Sequence, residues 1–382
     1  MTAPRPAGSS RLLRTLNERA ALGHLLERGT LTRGDLVTLT GLSKPTASEV
    51  IRRLEDAGLV GVAGRTHGGL GPRADRYAVN PDAAYAAAVA VGEPDRLDIE
   101  IVDLTGLTRA RTSNTVAFTD EDVTAPLAGA VSAACAEAGL ATGALNCVQL
   151  AVPGAYDRHT DTVGNIDVPG FGRPGLAAGL SSLLGAPVAV GNDVNLAALA
   201  EREHGETGDE GFALLWLGNR GVGLGIELGG TLLHGATGAA GEIGYLPIGP
   251  PNASTGDLQD LIGGPAITAL AAEFGHHADD AAGAVSGATG DGAFLAELAG
   301  RIIVALTAAI AVVDPALVVL AGEAGRAGGP ALRDAVAVAL HRTTYRTRVE
   351  TTAVTGDPVL LGAHAAAMGN LREVVLAAPT RG

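Results

Sequence analysis

The sequence predicts an α/β protein headed by a small winged helix-turn-helix, and three observations lead there. Residues 31–60, LTRGDLVTLTGLSKPTASEVIRRLEDAGLV, space two short helices around a turn. After Asn80-Pro81 the chain turns acidic and glycine-rich, and strand-length apolar runs alternate with helical ones, the mark of an α/β architecture. Charge divides at the same place. Residues 1–80 hold eleven Arg and one Lys against seven Asp and Glu, a net +5, while residues 81–382 carry −19, giving −14 for the whole chain. A confined positive field is what phosphate contacts need, and an acidic trunk is repelled by nucleic acid. Lys44 is the only lysine, and the preference for Arg reads as base-composition bias.

At 382 residues two or three domains are expected. Hydrophobic residues make up 47%, enough for buried cores. Gly, Asp or Pro breaks every long apolar stretch short of the roughly 20 residues that a membrane span needs. The opening MTAPRPAGSSRLLR lacks the apolar core of a signal peptide. A cytoplasmic protein with no membrane partner is therefore expected. Two cysteines, Cys135 and Cys147, exclude a disulfide framework and a zinc site built on several thiolates.

The elements follow in order. Residues 11–28 place Leu12, Leu13, Leu16, Ala20, Leu25 and Leu26 at helical spacing, and Gly29 ends that helix. Thr30-Leu31-Thr32 forms a short strand or a cap, and Thr32 with Asp35 gives the Thr-x-x-acid pattern of a helix start. The next helix runs to Leu39, and Thr40-Gly41-Leu42 makes the turn. Ser43 caps the following helix, where Pro45 is tolerated in the first turn. Ala47, Val50, Ile51 and Leu54 face inward, and Gly58 follows the helix end. Residues 59–63 and 75–79 read as strands, with the basic, glycine-rich residues 64–73 as a wing between them. In the body, residues 84–92 and 96–103 read as paired strands, followed by a turn at Asp103-Leu104-Thr105-Gly106. Helix, strand and helix then lead to a strand at 187–190. A second region starts at Phe212 and ends in a strand at 316–321 and a helical tail at 362–375. Residues 275–292 read as a surface connection, and no short-period repeat is visible.

In a helix-turn-helix the second helix enters the major groove with its N-terminal residues toward the bases. The candidate DNA-contacting set is Ser43, Lys44, Pro45, Thr46, Ser48, Glu49, Arg52 and Arg53, with Arg65 and Arg73 of the wing reaching an adjacent minor groove. Arg52 or Arg53 suits a bidentate contact with guanine, and the hydroxyls suit phosphates. Glu49 either accepts from cytosine N4 or pairs with Arg52 or Arg53. The alternative is a protein-interaction winged helix with a solvated polar face.

The body carries VAVGNDVNLAALAEREHGE at 188–206, GVGLG at 221–225 leading through Gly235 to GAAGEIGYLPIG at 238–249, and GDLQDLIGGPAI at 256–267. These stretches resemble the ROK family of sugar kinases and sugar-responsive repressors, with Asn192, Asp193, Asn195, Ala198 and Glu201 fitting its signature. The resemblance covers nearly the whole chain, because the family's repressor branch also carries an N-terminal winged helix. It implies a two-lobed, actin-like and sugar-kinase-like body of ribonuclease H-like folds. The expected division is residues 1–80 for the DNA-binding head, 81–200 with a C-terminal helix at 366–382 for the first lobe, and 201–365 for the second lobe, with oligomerisation and an effector cleft.

The chain departs from the family's kinases where phosphate is held. Asp193 matches their general base. Their first phosphate hairpin, Asp-x-Gly-Gly-Thr, reads VAVGEPD at 89–95, with Ala90 in the carboxylate position. Glu93 repels phosphate and Pro94 removes an amide donor. A later Gly-Gly reads Ala321-Gly322-Glu323. The expectation is that ATP is not bound, that no residue is catalytic and that no cofactor is held. Tyr245 replaces a zinc-binding His, residues 251–257 hold no cysteine and Asp257 takes the last Cys position, so no zinc is expected. Pro247, Pro250 and Pro251 are then expected to stiffen that loop. The candidate effector set is Asp167, Asn192, Asp193, Glu242, Tyr245 and Gln259. Asn192, Asp193 and Glu242 match the family's sugar contacts. Tyr245 and Gln259 replace a His and a Glu, and Asp167 stands where Asn is usual. Two readings stay open: a changed effector, sugar or sugar-derived, and a vestigial pocket with Asp193 as a helix N-cap. His276-His277 with Asp279-Asp280 could hold a metal, but adjacent side chains diverge and a solvated loop is expected.

The expected function is a transcriptional regulator, a repressor, on a double-stranded DNA operator with an inverted repeat, acting as a homodimer or homotetramer. The rivals are an active ATP-dependent sugar kinase that also binds DNA, resting on Asp193 and Glu242, and an effector-independent regulator whose body only dimerises.

Overall fold

The computed structural model describes residues 8–65, 74–92, 95–119, 121–165, 168–249 and 256–377. The expectations placed on Arg73, Glu93, Pro94, Asp167, Pro250 and Pro251 lie outside these residues.

The head begins with α1 (Gly8–Arg28) and β1 (Leu31–Thr32), followed by α2 (Arg33–Thr40). Thr32 ends the strand and caps the helix at once. Its Oγ1 accepts from Asp35 N at 3.1 Å while Asp35 Oδ2 accepts from Thr32 N at 2.8 Å, a reciprocal capping box. Gly41 closes α2 in the left-handed conformation. Next, α3 (Lys44–Asp56) buries Ala47, Val50, Ile51 and Leu54, the four positions its spacing predicts, against α1, α2 and β2. β2 (Val60–Arg65) pairs antiparallel with β3 (Asp75–Val79), and β1 adds to the other side of β3.

The body holds two five-stranded sheets of one topology. The first contains β4 (Tyr85–Gly92), β5 (Arg96–Asp103), β6 (Thr108–Thr115), β7 (Leu145–Val152) and β10 (Val188–Asn192) in the order β10-β7-β4-β5-β6. Strands β4 to β6 form an antiparallel meander, and β4, β7 and β10 run parallel. Helices α4 (Thr124–Glu137) and α5 (Leu176–Leu184) cover one face, and a small hairpin of β8 (Ala155–Asp157) and β9 (Thr162–Gly164) extends beyond β7.

Helix α6 (Asp193–His204) leads into the second sheet. There β11 (Phe212–Leu217), β12 (Val222–Leu228) and β13 (Thr231–Leu232) form the meander. After α7 (Leu258–Ile262), α8 (Gly264–Glu273), α9 (Ala281–Gly287) and α10 (Gly292–Val313) comes β14 (Leu317–Ala321). It runs parallel to β11, and β15 (Arg348–Thr351), reached through α11 (Gly322–His341), runs parallel to β14. Helix α10 is long and apolar enough to cross a membrane. Glu297 and Arg301 nevertheless punctuate it, and Phe294, Leu298, Ile302 and Leu306 form the second lobe's core.

Several expectations are corrected. β6 and the β8–β9 hairpin carry no strong apolar alternation and were not expected. Residues 275–292 are no mere surface connection, because α9 buries Ala281, Ala284 and Val285 there. The second sheet gains β15 beyond the strand expected last. The tail helix α12 (Pro358–Ala377) starts well before residue 366. The division at residue 200 falls inside α6.

The head joins the first lobe through a continuous core. Leu22, Leu25 and Tyr77 of the head share one buried cluster with Ala86 and Ala88 of the sheet, Leu104 of the turn after β5, and Ala363, Ala367 and Leu371 of α12. An Arg19–Glu373 ion pair crosses from α1 to α12. The junction is itself fixed: Asn80 Nδ2 donates to Gly58 O at 3.1 Å, and Arg109 bridges Asp82 and the fully buried Asp103.

Candidate nucleic-acid interface and interlobe cleft

Helix α3 turns a polar face outward because its apolar residues occupy a single stripe. Ser43, Lys44, Pro45 and Arg52 are exposed, and Thr46, Ser48, Glu49 and Arg53 are partly covered. Ser43 Oγ accepts from Thr46 N at 3.3 Å and shares a 2.8 Å hydrogen bond with Thr46 Oγ1, so these hydroxyls hold the helix start.

The two neighbouring arginines differ. Arg52 Nε and Nη2 donate to both oxygens of Glu49 at 3.1 and 2.8 Å, Nη1 donates to Asp56 at 2.7 Å, and its side chain is 59% exposed. Arg53 is 23% exposed and reaches back to α1, where Nη1 donates to Glu18 at 3.1 Å. Of the two expected base-contacting arginines, Arg53 is therefore a strut between helices, and Arg52 keeps the outward position. Glu49 lies between them. Hydrogen bonds from Arg52 and then Arg53 lower its pKa to about 2, so the carboxylate is ionised at neutral pH, and pairing is the alternative observed. Arg65 Nε donates to Asp75 at 2.9 Å at the root of the wing.

Between the lobes lies a cleft of about 1200 Å³. Asn192, Asp193, Glu242, Tyr245 and Gln259 all line it. The N-cap of α6 is Asn192 and not Asp193: Asn192 Oδ1 accepts from Asn195 N at 2.9 Å, and its Nδ2 donates to Gly154 O at 3.2 Å. Asp193 Oδ1 accepts from Val194 N at 2.7 Å. Glu242 is half-buried. Burial raises its pKa, opposed by a hydrogen bond with Asn165, a residue the sequence reading did not single out. Gln259 is a strap as well as a lining residue, its Oε1 accepting from Val222 N at 2.8 Å. Tyr245 is half exposed.

The cleft as a whole is acidic. Its described lining carries seven carboxylates (Asp98, Asp193, Glu242, Asp279, Asp280, Glu323 and Asp357) against three guanidiniums (Arg96, Arg220 and Arg326). The turn between β11 and β12 offers the amide of Asn219, but Glu323 Oε2 already accepts from it at 3.3 Å. Asn219 is further fixed by Asp280 at 3.2 Å and by Ala282 N at 2.9 Å. Arg96 is paired with Asp98 at 2.6 Å.

The loop aligned with the family's zinc site is closed by backbone pairing. Pro247 bridges to Asp257, Ile248 N donates to Gly256 O at 3.0 Å, and Asp257 with Asp260 forms a second capping box. These residues do not fit a zinc ion, because they offer no thiolate or imidazole. His276 bonds Asp291 at 3.1 Å and Asp280 caps α9, so that His/Asp stretch serves the fold.

Residues 14–68 match the MarR family and residues 87–372 match the ROK family. The chain is 34% identical over 153 residues to the bifunctional enzyme NanE/NanK of Brucella suis, covering 39% of this chain and 29% of that one. It is 23% identical over 241 residues to the xylose repressor of Bacillus subtilis, covering 62% of this chain and 61% of that one. It thus spans less than two thirds of either relative. A crystal structure of a ROK family transcriptional regulator, a homologue of the E. coli MLC protein, superposes with a TM-score of 0.75 at 18% identity over 95% of this chain and 98% of that one. A winged-helix head, two lobes of one sheet topology and a family match spanning both lobes lead to one assignment: the chain belongs to the ROK family.

Proposed function

We propose that this chain is a sequence-specific DNA-binding transcriptional repressor with a ROK body that has lost phosphoryl transfer and senses a small metabolite, a sugar or a sugar derivative. The observation that carries this reading is α3, a capped amphipathic helix in a net-positive head with Lys44, Ser48 and Arg52 outward. The MarR-family match and the xylose repressor relative support it. Exposed ion pairs are worth little, so Arg52 can exchange Glu49 and Asp56 for a guanine edge at small cost. The body pairs two copies, as a dimer or as a tetramer, on an inverted repeat. An effector regulates by binding the DNA-competent and DNA-incompetent shapes with different affinity.

Selection of bound duplexes from a random pool tests this reading. An enriched inverted repeat with half-sites about one helical turn apart is expected, and no enrichment over input would contradict it. Asp193 and Glu242 in one cleft favour the kinase alternative. ADP release across hexoses and N-acetylhexosamines, lost in Asp193→Asn, would establish that alternative.

A further inference from the structure

A second cavity of about 330 Å³ lies on the far side of Asn192, walled by β8, the outer edge of β10, the first turn of α6 and the loop after β13. Its size is that of a small-metabolite pocket. Its chemistry is opposite to that of the interlobe cleft, because its described lining contains no carboxylate. Arg158 and His234 both line it, close enough that, after burial, the guanidinium lowers the pKa of the imidazole. At the floor stands Asn195, 3% exposed, with its Oδ1 lacking any hydrogen-bond partner. Buried amide oxygens are almost always satisfied, so an orphaned one beside a cavity points to a donor supplied from outside.

We propose that this cavity binds a small polyhydroxylated anion, a sugar-sized molecule bearing a carboxylate or a phosphate. Arg158 holds its charge, His234 donates a ring N–H to the oxyanion, and Asn195 Oδ1 accepts from one of its hydroxyls. A guanidinium fork and an imidazole match either oxyanion. The site is separate from the cleft. Asn192 borders both, but its side chain is committed to Asn195 N and Gly154 O. The walls come from both lobes: Tyr156 and Arg158 from the first, His234, Ala236 and Gly238 from the second. Gly238, at φ +82°, lies so near that a Cβ there would collide with Tyr156 O. A ligand in this seam therefore ties the lobes together and favours the arrangement in which both walls meet. None of this rests on DNA binding, so its test stands or falls independently of the proposed repressor function.

Calorimetric titration of the full chain with gluconate, glucose 6-phosphate and, as a neutral control, glucose tests the proposal. At least one of the two anions is expected to bind. Arg158→Ala, at an exposed position that leaves the fold intact, weakens that binding by about ten- to a hundred-fold. Asn195→Asp, nearly isosteric but negatively charged, weakens it at least as much, with circular dichroism showing that the variant is folded. Gluconate without glucose 6-phosphate, or the reverse, identifies the oxyanion. The proposal is overturned if neither anion binds the wild-type chain. It is equally overturned if binding survives Arg158→Ala and is lost in Arg326→Ala, which would place the ligand in the interlobe cleft.

Discussion

Arg52 and Arg53 are adjacent in sequence and do different things in space. Arg53 secures α3 to α1 through Glu18, whose side chain is only 13% exposed. Arg53→Ala strands that carboxylate and should lower stability by about 1–3 kcal/mol, measured by chemical denaturation, while leaving sequence preference on DNA unchanged. The Thr32–Asp35 and Ser43–Thr46 contacts were legible in the sequence because each closes over three residues. The Arg53–Glu18 contact spans 35 residues, and no local pattern encodes it. In the cleft, burial raises the Glu242 pKa above its ordinary value of 4.5. The native state therefore binds that proton more tightly than the unfolded chain does. Its contribution is complete below the ordinary value and is lost as pH rises through the raised one. Glu242→Gln removes this dependence, so its gain in melting temperature should be largest near pH 8 and should vanish near pH 4.

At the level of elements, the head could be read almost residue by residue because capping residues, apolar spacing and turn glycines all agree there. The body was less transparent for physical reasons. β6, TRARTSNT, lies at the sheet edge with Thr112 its only buried residue, so no apolar alternation marks it. α9, AAGAVSG, buries small side chains, and its composition reads as loop. β15 contributes only Val349 to the core. Contacts between distant elements are equally hidden. Gly362 of α12 lies against the backbone of Leu196 in α6, where a Cβ would collide with the Leu196 carbonyl. Gly362→Ala should force these helices apart and cost about 3 kcal/mol, read as a lowered denaturation midpoint.

Across the whole molecule, two sheets of one topology enclose the cleft, although the sequence shows no short-period repeat. The resemblance carried by residues 188–206 and 238–249 located that cleft, and five of the six expected effector positions line it. What the sequence could not show is the balance of charge around it, because Asp98, Asp280, Glu323 and Asp357 are brought together only by folding. The head is seated on the same framework: α1 packs on α12, α12 on α6, and α6 begins at the cleft. α1 also packs on α3, so one series of packed helices runs from the cleft to α3. The central claim, that α3 reads bases through its outward face, is tested most directly by equilibrium binding of wild type and Arg52→Ala. Each is titrated onto the selected duplex and onto a scrambled duplex at one salt concentration. The preference for the selected duplex should fall by about ten- to a hundred-fold in Arg52→Ala, with scrambled binding changed far less. Equal losses on both duplexes would contradict the account.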